Sequence, residues 1–282
     1  MGRNKLVKPF LKWAGGKRQL VPEITANYLP AKYNSYYEPF LGGGAMFLEL
    51  QPNKAVVNDS NSELINCYKV IRDSLDELME DLQRHENTEA YYYDIRDWDR
   101  KKNYDSKTDV ERASRIIFLN KTCYNGLFRV NSQGQFNVPF GRYKKPNILD
   151  EAVLKAVSHY LNNNGVKILN GDFEEALKDT ESEDFVYLDP PYHPISNTAY
   201  FTGYDVNGFN KYEQIRLKET VDDLNRRGCT VLLSNADTDF ILDLYKDYRI
   251  EKIYATRAIN SNPLKRGKIQ EVLVMNNYEC KV

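Results

Sequence analysis

Short apolar runs separated by stretches of helical spacing organise this chain. Tyr36-Tyr37-Glu38-Pro39-Phe40 reads as a strand, Leu41-Gly42-Gly43-Gly44 as a sharp turn, and Ala45 to Leu50 as the start of a helix. Ala55-Val56-Val57-Asn58 forms a second strand, ending at Asp59. From Asn61 to about Gly165 the pattern is mainly helical, including Asp150 to Leu161. Strands then return at Val166 to Asn170, Phe185 to Leu188 and Thr230 to Leu233, and near Arg249 and Gln270, with a helix at Tyr212 to Arg226. Strands alternating with helices predict an α/β fold with a mostly parallel sheet. Residues 61–165 then form an inserted, mainly helical domain, with 1–60 and 166–282 making up the main one. Inside the insertion, Phe128, Val130, Phe136 and Val138 alternate with polar residues around Ser132-Gln133-Gly134, which predicts a β-hairpin.

The strand Phe185 to Leu188 runs directly into Asp189-Pro190-Pro191-Tyr192. The exocyclic amine of a base such as adenine is a poor nucleophile, because its lone pair is delocalised into the ring. Hydrogen bonds from both amine protons localise that pair and aim it. The Asp189 carboxylate can accept one and the Pro190 carbonyl the other, while the proline rings fix the direction of that carbonyl and Tyr192 stacks on the base. A plain strand-ending turn is the alternative, since Asp-Pro and Pro-Pro are common punctuation. Upstream, a glycine turn after one strand and an acid after the next are what binding of S-adenosylmethionine requires. Two other nucleotide motifs fail on spelling. A dinucleotide fingerprint from Gly42 needs glycine where Phe47 stands, and a P-loop ending at Gly16-Lys17 needs Ser or Thr where Arg18 stands.

Near the N-terminus, Lys12-Trp13-Ala14-Gly15-Gly16-Lys17 combines an aromatic ring, a glycine pair and lysines. Alone, Trp13 reads as core and Lys17 as surface charge. In order along the chain, Lys-Trp-x-Gly-Gly-Lys, Glu-Pro-Phe-x-Gly-x-Gly and Asp-Pro-Pro-Tyr resemble the Dam-type adenine-N6 DNA methyltransferases of the alpha class, over nearly the whole length. The resemblance implies a Rossmann-like S-adenosylmethionine-binding sheet carrying a DNA-recognition domain. It implies Asp189, Pro190, Pro191 and Tyr192 as catalytic residues. It assigns cofactor binding to Trp13, Lys17, Phe40, Gly42, Gly44, Asp59, Asp172, Phe173 and Asp189, with Gly171-Asp172-Phe173 holding the cofactor's adenine. Asn-Gly-Leu-x-Arg followed by Asn-Val-Pro-Phe-Gly-Arg-Tyr is close to the recognition segment of enzymes that methylate GATC. Tyr124, Asn125, Leu127, Arg129, Asn137, Pro139, Arg142 and Tyr143 are therefore expected on DNA, with Arg129 on a guanine and Tyr143 on a second base. Tyr124, Phe128 and Tyr143 are of the type that stacks or wedges into a duplex. A structural hairpin with a polar outer face is the bland reading of the same segment. Ser234-Asn235 resembles a further family motif near the active-site rim, and Pro194 to Tyr204 is a candidate loop over the flipped base.

Bulk properties narrow the partners. The net charge of −1 suits no nucleic-acid binder until its distribution is read. Arg112 to Leu149 holds seven Lys/Arg and no acid, and Lys252 to Gln270 holds five and no acid. Two such stretches favour phosphate contacts over a merely solvated face. Residues 73–99, by contrast, carry ten acids. Four scattered cysteines with no Cys-x-x-Cys pair, and three histidines, predict neither a metal site nor a disulfide framework. No cysteine follows a proline, so covalent attack of the C5-cytosine kind is not expected. With no long apolar span and a polar start, the expectation is a cytoplasmic protein without membrane contact. Its partner is double-stranded DNA containing GATC, joined by a cognate restriction endonuclease if the protein serves a restriction-modification system. The alternatives left open are amino-group transfer to RNA or to cytosine N4, and a non-catalytic DNA-binding protein with this fold.

Overall fold

The computed structural model describes residues 3–13, 17–194, 209–256 and 268–280. The first half of the chain gives α1 (Val21–Asn27), β1 (Tyr36–Glu38), α2 (Ala45–Leu50), β2 (Lys54–Asp59), α3 (Ser62–Asp73), α4 (Leu75–Gln83), α5 (Glu89–Arg96) and α6 (Asp109–Thr122). Then follow α7 (Glu151–Asn163), β3 (Gly165–Asn170), α8 (Phe173–Leu177), β4 (Phe185–Leu188), α9 (Lys211–Arg226), β5 (Thr230–Ala236), α10 (Asp239–Leu244), β6 (Arg249–Thr256) and β7 (Lys268–Met275). The strands form one sheet in the order β3-β2-β1-β4-β5-β7-β6. β1 is parallel to β2 and β4, and β4 to β5, whereas β7 runs antiparallel to β5 and β6. The mostly parallel α/β sheet expected from the apolar runs is therefore present. β1 stops at Glu38, one residue before Pro39, which has no N–H to donate to a ladder.

The chain divides into two compact units. One comprises Lys17–Phe40, Lys54–Val57 and Asp172–Val282. Its core is built from Val186 and Leu188 of β4, Val231 and Leu233 of β5, Val272 and Val274 of β7, and Leu217, Val221 and Leu224 of α9. All four residues of β4 are buried, as expected of a strand covered on both faces. α9 starts where the Asn210 side chain accepts hydrogen bonds from the backbone N–H groups of Tyr212 and Glu213.

The other unit comprises Met1–Gly16, Leu41–Asn53 and Asn58–Gly171. Its long α6 begins at a capping box of Thr108 and Glu111 and contributes Phe118 and Leu119 to a cluster with Tyr92, Ile95, Phe136 and Val138. The expected hairpin is shorter and less regular than its alternating pattern implies. One bridge pairs Val130 with Phe136, and Asn137 N–H donates to the Arg129 carbonyl (3.0 Å). Phe136 and Val138 point inward while Val130 is exposed. Pairing this brief does not enforce the pleat, so the alternation holds only on the returning strand. The acid-free basic stretch is also partly internal. Arg115 is buried, paired with Asp99 at 2.7 Å and donating to the Ile95 and Arg96 carbonyls, and Arg112 is engaged by Glu63. These two arginines hold the fold together and correct the expectation that the whole stretch faces phosphate.

His85 offers a test of this unit. Its ring stacks on Phe118 with centroids 4.3 Å apart, and its nitrogens lie 3.1 Å from the Tyr91 hydroxyl and 2.9 Å from that of Ser114. Burial lowers its pKa to about 4, against a weaker opposing pull from Asp81. The unfolded chain, with histidine near 6.5, binds the proton first as pH falls. Stability is therefore complete above about pH 6.5 and is lost progressively toward pH 4, by on the order of 3 kcal/mol. Urea melts at stepped pH should show this slope in the wild type and a flatter one in His85→Gln; parallel slopes would refute the assignment.

Candidate active site

β4 carries Asp189 to the end of the sheet, and the two prolines turn the chain there. Lys17 lies in a short 3-10 turn, Lys17–Gln19, with its side chain 5% exposed. Its ammonium has three protons and three acceptors: Asp189 Oδ1 at 2.8 Å, Glu271 Oε2 at 3.4 Å, and the Tyr192 hydroxyl. The Tyr192 hydroxyl in turn donates to Glu271 Oε2 (2.7 Å), and the Lys17 ammonium lies 4.0 Å from the centroid of the Tyr192 ring. Ser234 on β5 donates to Asp189 Oδ1 (3.1 Å), and the Tyr187 hydroxyl lies 3.4 Å from Ser234 Oγ. Among the described residues, the contacts of Asp189 thus gather on Oδ1. Burial pushes the Asp189 carboxyl up from its ordinary pKa, and Lys17 pulls it part of the way back. Burial beside Asp189 and Glu271 raises Tyr192 well above the usual tyrosine value, which keeps its hydroxyl proton in place as a donor.

The backbone of this segment is held from two sides. Gln214 on α9 donates to the Pro191 carbonyl (2.9 Å), and the Asn235 side chain accepts from His193 N–H (3.2 Å) and donates to Gln214 (3.0 Å). Beside it, Phe40 and Phe173 form a ring pair with centroids 5.3 Å apart, and Phe209 meets Phe40 edge-on. The Arg216 guanidinium covers Phe173 at 4.3 Å. Asp172 caps α8 by accepting from Glu174 N–H and forms an ion pair with Arg216 at 2.6 Å.

The glycine turn belongs to the other unit. Gly42 and Gly44 have φ of 49° and 66°, in the left-handed region that favours glycine. Gly42 N–H donates to Asp59 Oδ2 and Asn61 N–H to Asp59 Oδ1, each at 2.9 Å, so the acid is locked onto the turn. A Cβ added at Gly42 or Gly43 would meet Trp13 at 3.1 or 3.2 Å. Trp13 also stacks on Phe128, with centroids 4.4 Å apart. Phe128, half-buried, thereby packs within this unit.

The residues expected on DNA all lie within that same unit. Tyr124 N–H donates to the Pro139 carbonyl (2.8 Å), which joins the two ends of the segment, and the ring of Tyr124 is exposed. Arg129 is exposed and held by Asn137, donating from Nε to Oδ1 (2.7 Å) and from Nη2 to the carbonyl (3.1 Å). Asn125 and Arg142 have φ of 58° and 54°, Leu127 is half-buried, and Tyr143 is exposed while its carbonyl accepts from Asn87 (2.7 Å). Of the candidate loop Pro194 to Tyr204, residues 195–204 lie outside the described residues, as do Arg257, Lys265 and Arg266 of the second basic stretch.

Two members of the Asp189 network escaped the sequence reading, Glu271 and Gln214. Glu271 had a signal, an acid heading the buried run Val272–Met275, whereas nothing local distinguishes Gln214 from other polar positions on α9.

With this geometry in view, comparison with known proteins is informative. Residues 13–259 match the model of the D12 class N6 adenine-specific DNA methyltransferases. The chain is 50% identical over 278 residues to the type II methyltransferase M1.LlaDCHI of Lactococcus lactis subsp. cremoris, covering 97% of each chain. It is 46% identical to the type II methyltransferase M.MjaIII of Methanocaldococcus jannaschii, over 96% of this chain and 99% of that one. It is 35% identical to the DNA adenine methylase of Escherichia coli K12, over 95% of each. Among the described residues, no helix is long and apolar enough to cross a membrane.

The glycine turn yields a direct test. A Cβ at Gly44 would stand 2.5 Å from the hydroxyl of Tyr68, a ring that is itself fully buried and edge-on to Phe10. At Gly134, with φ of 76°, a Cβ meets nothing within 4 Å. Both substitutions to Ala carry roughly 1–2 kcal/mol of left-handed strain. Gly44→Ala should therefore melt at clearly lower temperature than Gly134→Ala; equal shifts would show that the turn has room.

Proposed function

The chain belongs to the family of D12 class N6 adenine-specific DNA methyltransferases, and from that membership we infer that it transfers a methyl group from S-adenosylmethionine to the adenine of GATC in duplex DNA. The observation that carries this reading is the Asp189 carboxylate, which is tied down through Oδ1 by Lys17 and Ser234 and, among the described residues, has no partner on Oδ2. An amine proton can be received at Oδ2 and the second at the Pro190 carbonyl, leaving the nitrogen lone pair directed outward. No proton needs to leave before attack, so Asp189 serves as acceptor and aimer. Tyr192 offers its ring to the base, and one face of that ring already carries the ammonium of Lys17. Adenine must leave the base stack to reach these groups, at a cost of a few kcal/mol that phosphate contacts offset.

The residues present suit S-adenosylmethionine. Asp59, fixed on a glycine turn with lone pairs to spare, fits ribose hydroxyls, and Phe40 with Phe173 fits an adenine ring. Trp13, Lys17, Gly42, Gly44, Asp172 and Asp189 complete the proposed set. When bound, the cofactor supplies an activated methyl group.

Residues 61–165 are proposed as the recognition domain. Tyr124, Asn125, Leu127, Arg129, Asn137, Pro139, Arg142 and Tyr143 would contact DNA. Arg129, steadied by Asn137 and exposed, would read a guanine. Two similar relatives named type II methyltransferases favour the modification role of a restriction-modification system, with the endonuclease as functional partner.

Labelled S-adenosylmethionine offered with DNA and RNA separately should mark only DNA, at the N6 of adenine in GATC by base-resolved mapping; label in RNA or on cytosine would defeat the reading. Asp189→Ala should lower the transfer rate roughly a hundredfold or more, a larger loss than that in cofactor affinity. Arg129→Ala should relax discrimination at one base pair by about 1–3 kcal/mol on variant duplexes, and an unchanged sequence profile would remove Arg129 from base reading.

A further inference from the structure

Glu271 sits on β7, opposite Ala236 of β5 and Ile253 of β6, within a strand paired on both sides. Its side chain is 13% exposed, and the residues that follow it, Val272 to Met275, are buried. A carboxylate in such a place is expensive unless it is paired and hydrogen-bonded. Among the described residues its partners are Lys17 and Tyr192, both of the Asp189 cluster. The three groups close a ring: Lys17 donates to Tyr192 and forms an ion pair with Glu271 at 3.4 Å, and Tyr192 donates to Glu271.

We propose that Glu271 is a positioning residue for methyl transfer, acting through Tyr192 and Lys17. The inference rests on the methyltransferase reading of the Asp189 site. Glu271 does two things by geometry. It anchors the Tyr192 hydroxyl, which fixes the plane of the ring offered to the base. It also shares the Lys17 ammonium with Asp189, so that Asp189 is not the sole counter-ion of a buried cation. Without the charge on Glu271, the ammonium settles wholly on Asp189, and an arriving amine has to compete with it. Tyr192 and Asp189 are the groups that touch the base; Glu271 sets where they are and how strongly Asp189 is engaged.

The test uses the full-length protein with duplex DNA containing GATC, and compares wild type, Glu271→Gln, Tyr192→Phe and the double variant. Single-turnover methylation rate, affinity for S-adenosylmethionine and melting temperature are measured for each. Glu271→Gln is expected to slow transfer on the order of tenfold with cofactor affinity kept within about twofold. The double variant is expected to be no slower than the product of effects permits and in fact close to the slower single variant, because the two side chains act as one unit. An unchanged rate in Glu271→Gln, or losses that multiply in the double variant, would overturn the proposal. Should Glu271→Gln fail to fold, Tyr192→Phe keeps Glu271 and removes the hydroxyl that links them; a wild-type rate there overturns the anchoring role. Crystal structures of the wild type and Glu271→Gln read the positioning directly. A shift of the Lys17 ammonium toward Asp189 supports the proposal and an unmoved ammonium overturns it, whether or not the wild type transfers methyl to DNA. Failure of the wild type to methylate any duplex would instead count against the methyltransferase reading itself.

Discussion

One buried ammonium sets the terms for the Asp-Pro-Pro-Tyr segment. Taking the charge of Lys17 out of water costs several kcal/mol, and only a nearly complete set of acceptors offsets it. Asp189, Glu271 and the Tyr192 hydroxyl supply that set, one for each proton. The arrangement constrains in both directions. Lys17 cannot move without stranding two carboxylates, and neither carboxylate can turn away without stranding the cation. On the proposed reading, the carboxylate that receives the amine is thereby held by electrostatics as well as by the backbone. Much of the required orientation is in place before any substrate arrives.

The backbone beneath this cluster is secured by neutral amides. Gln214 and Asn235 are both fully buried, and they bind each other and the main chain at Pro191 and His193. Neutral hydrogen bonds suit this task because they fix geometry without adding charge to a site already carrying two acids and one base. The parallel strands β4 and β5 bring Asp189 and Ser234 together by register, Leu188 lying opposite Leu233. β7, the antiparallel strand, adds Glu271 from a distant part of the sequence. The same sheet that buries the apolar core therefore aligns Asp189, Ser234 and Glu271 at its end.

The sequence was most legible where chemistry demands unusual spelling. Asp-Pro-Pro-Tyr, the glycine turn and the acid at Asp59 announce themselves because few folds need such residues in those places, and the turn and acid are found bonded to each other. Strands with continuous apolar runs, such as Phe185 to Leu188, were equally plain. Legibility failed where meaning depends on distant partners. Lys17 looks like surface until Asp189 and Glu271 are brought to it, and Gln214 gives no local sign that it reaches the Pro191 carbonyl. Val130 shows the opposite error, a pattern of alternation with too few ladder bonds to enforce it.

Charge is the property for which sequence and structure differ most, and the reason is physical. A run of basic residues records composition along the chain, whereas binding depends on cations that remain in solvent. Arg115 and Arg112 lie in the acid-free stretch yet are consumed by Asp99, Glu63 and backbone carbonyls. Arg129, Arg142, Lys144 and Lys145, from the same stretch, stay exposed, as do the rings of Tyr124 and Tyr143. Folding thus sorts one basic run into a structural part and a solvent-facing part. Exposed cations next to exposed aromatic rings are the combination that meets a phosphate backbone and its bases together, and a net charge near zero is no obstacle to it.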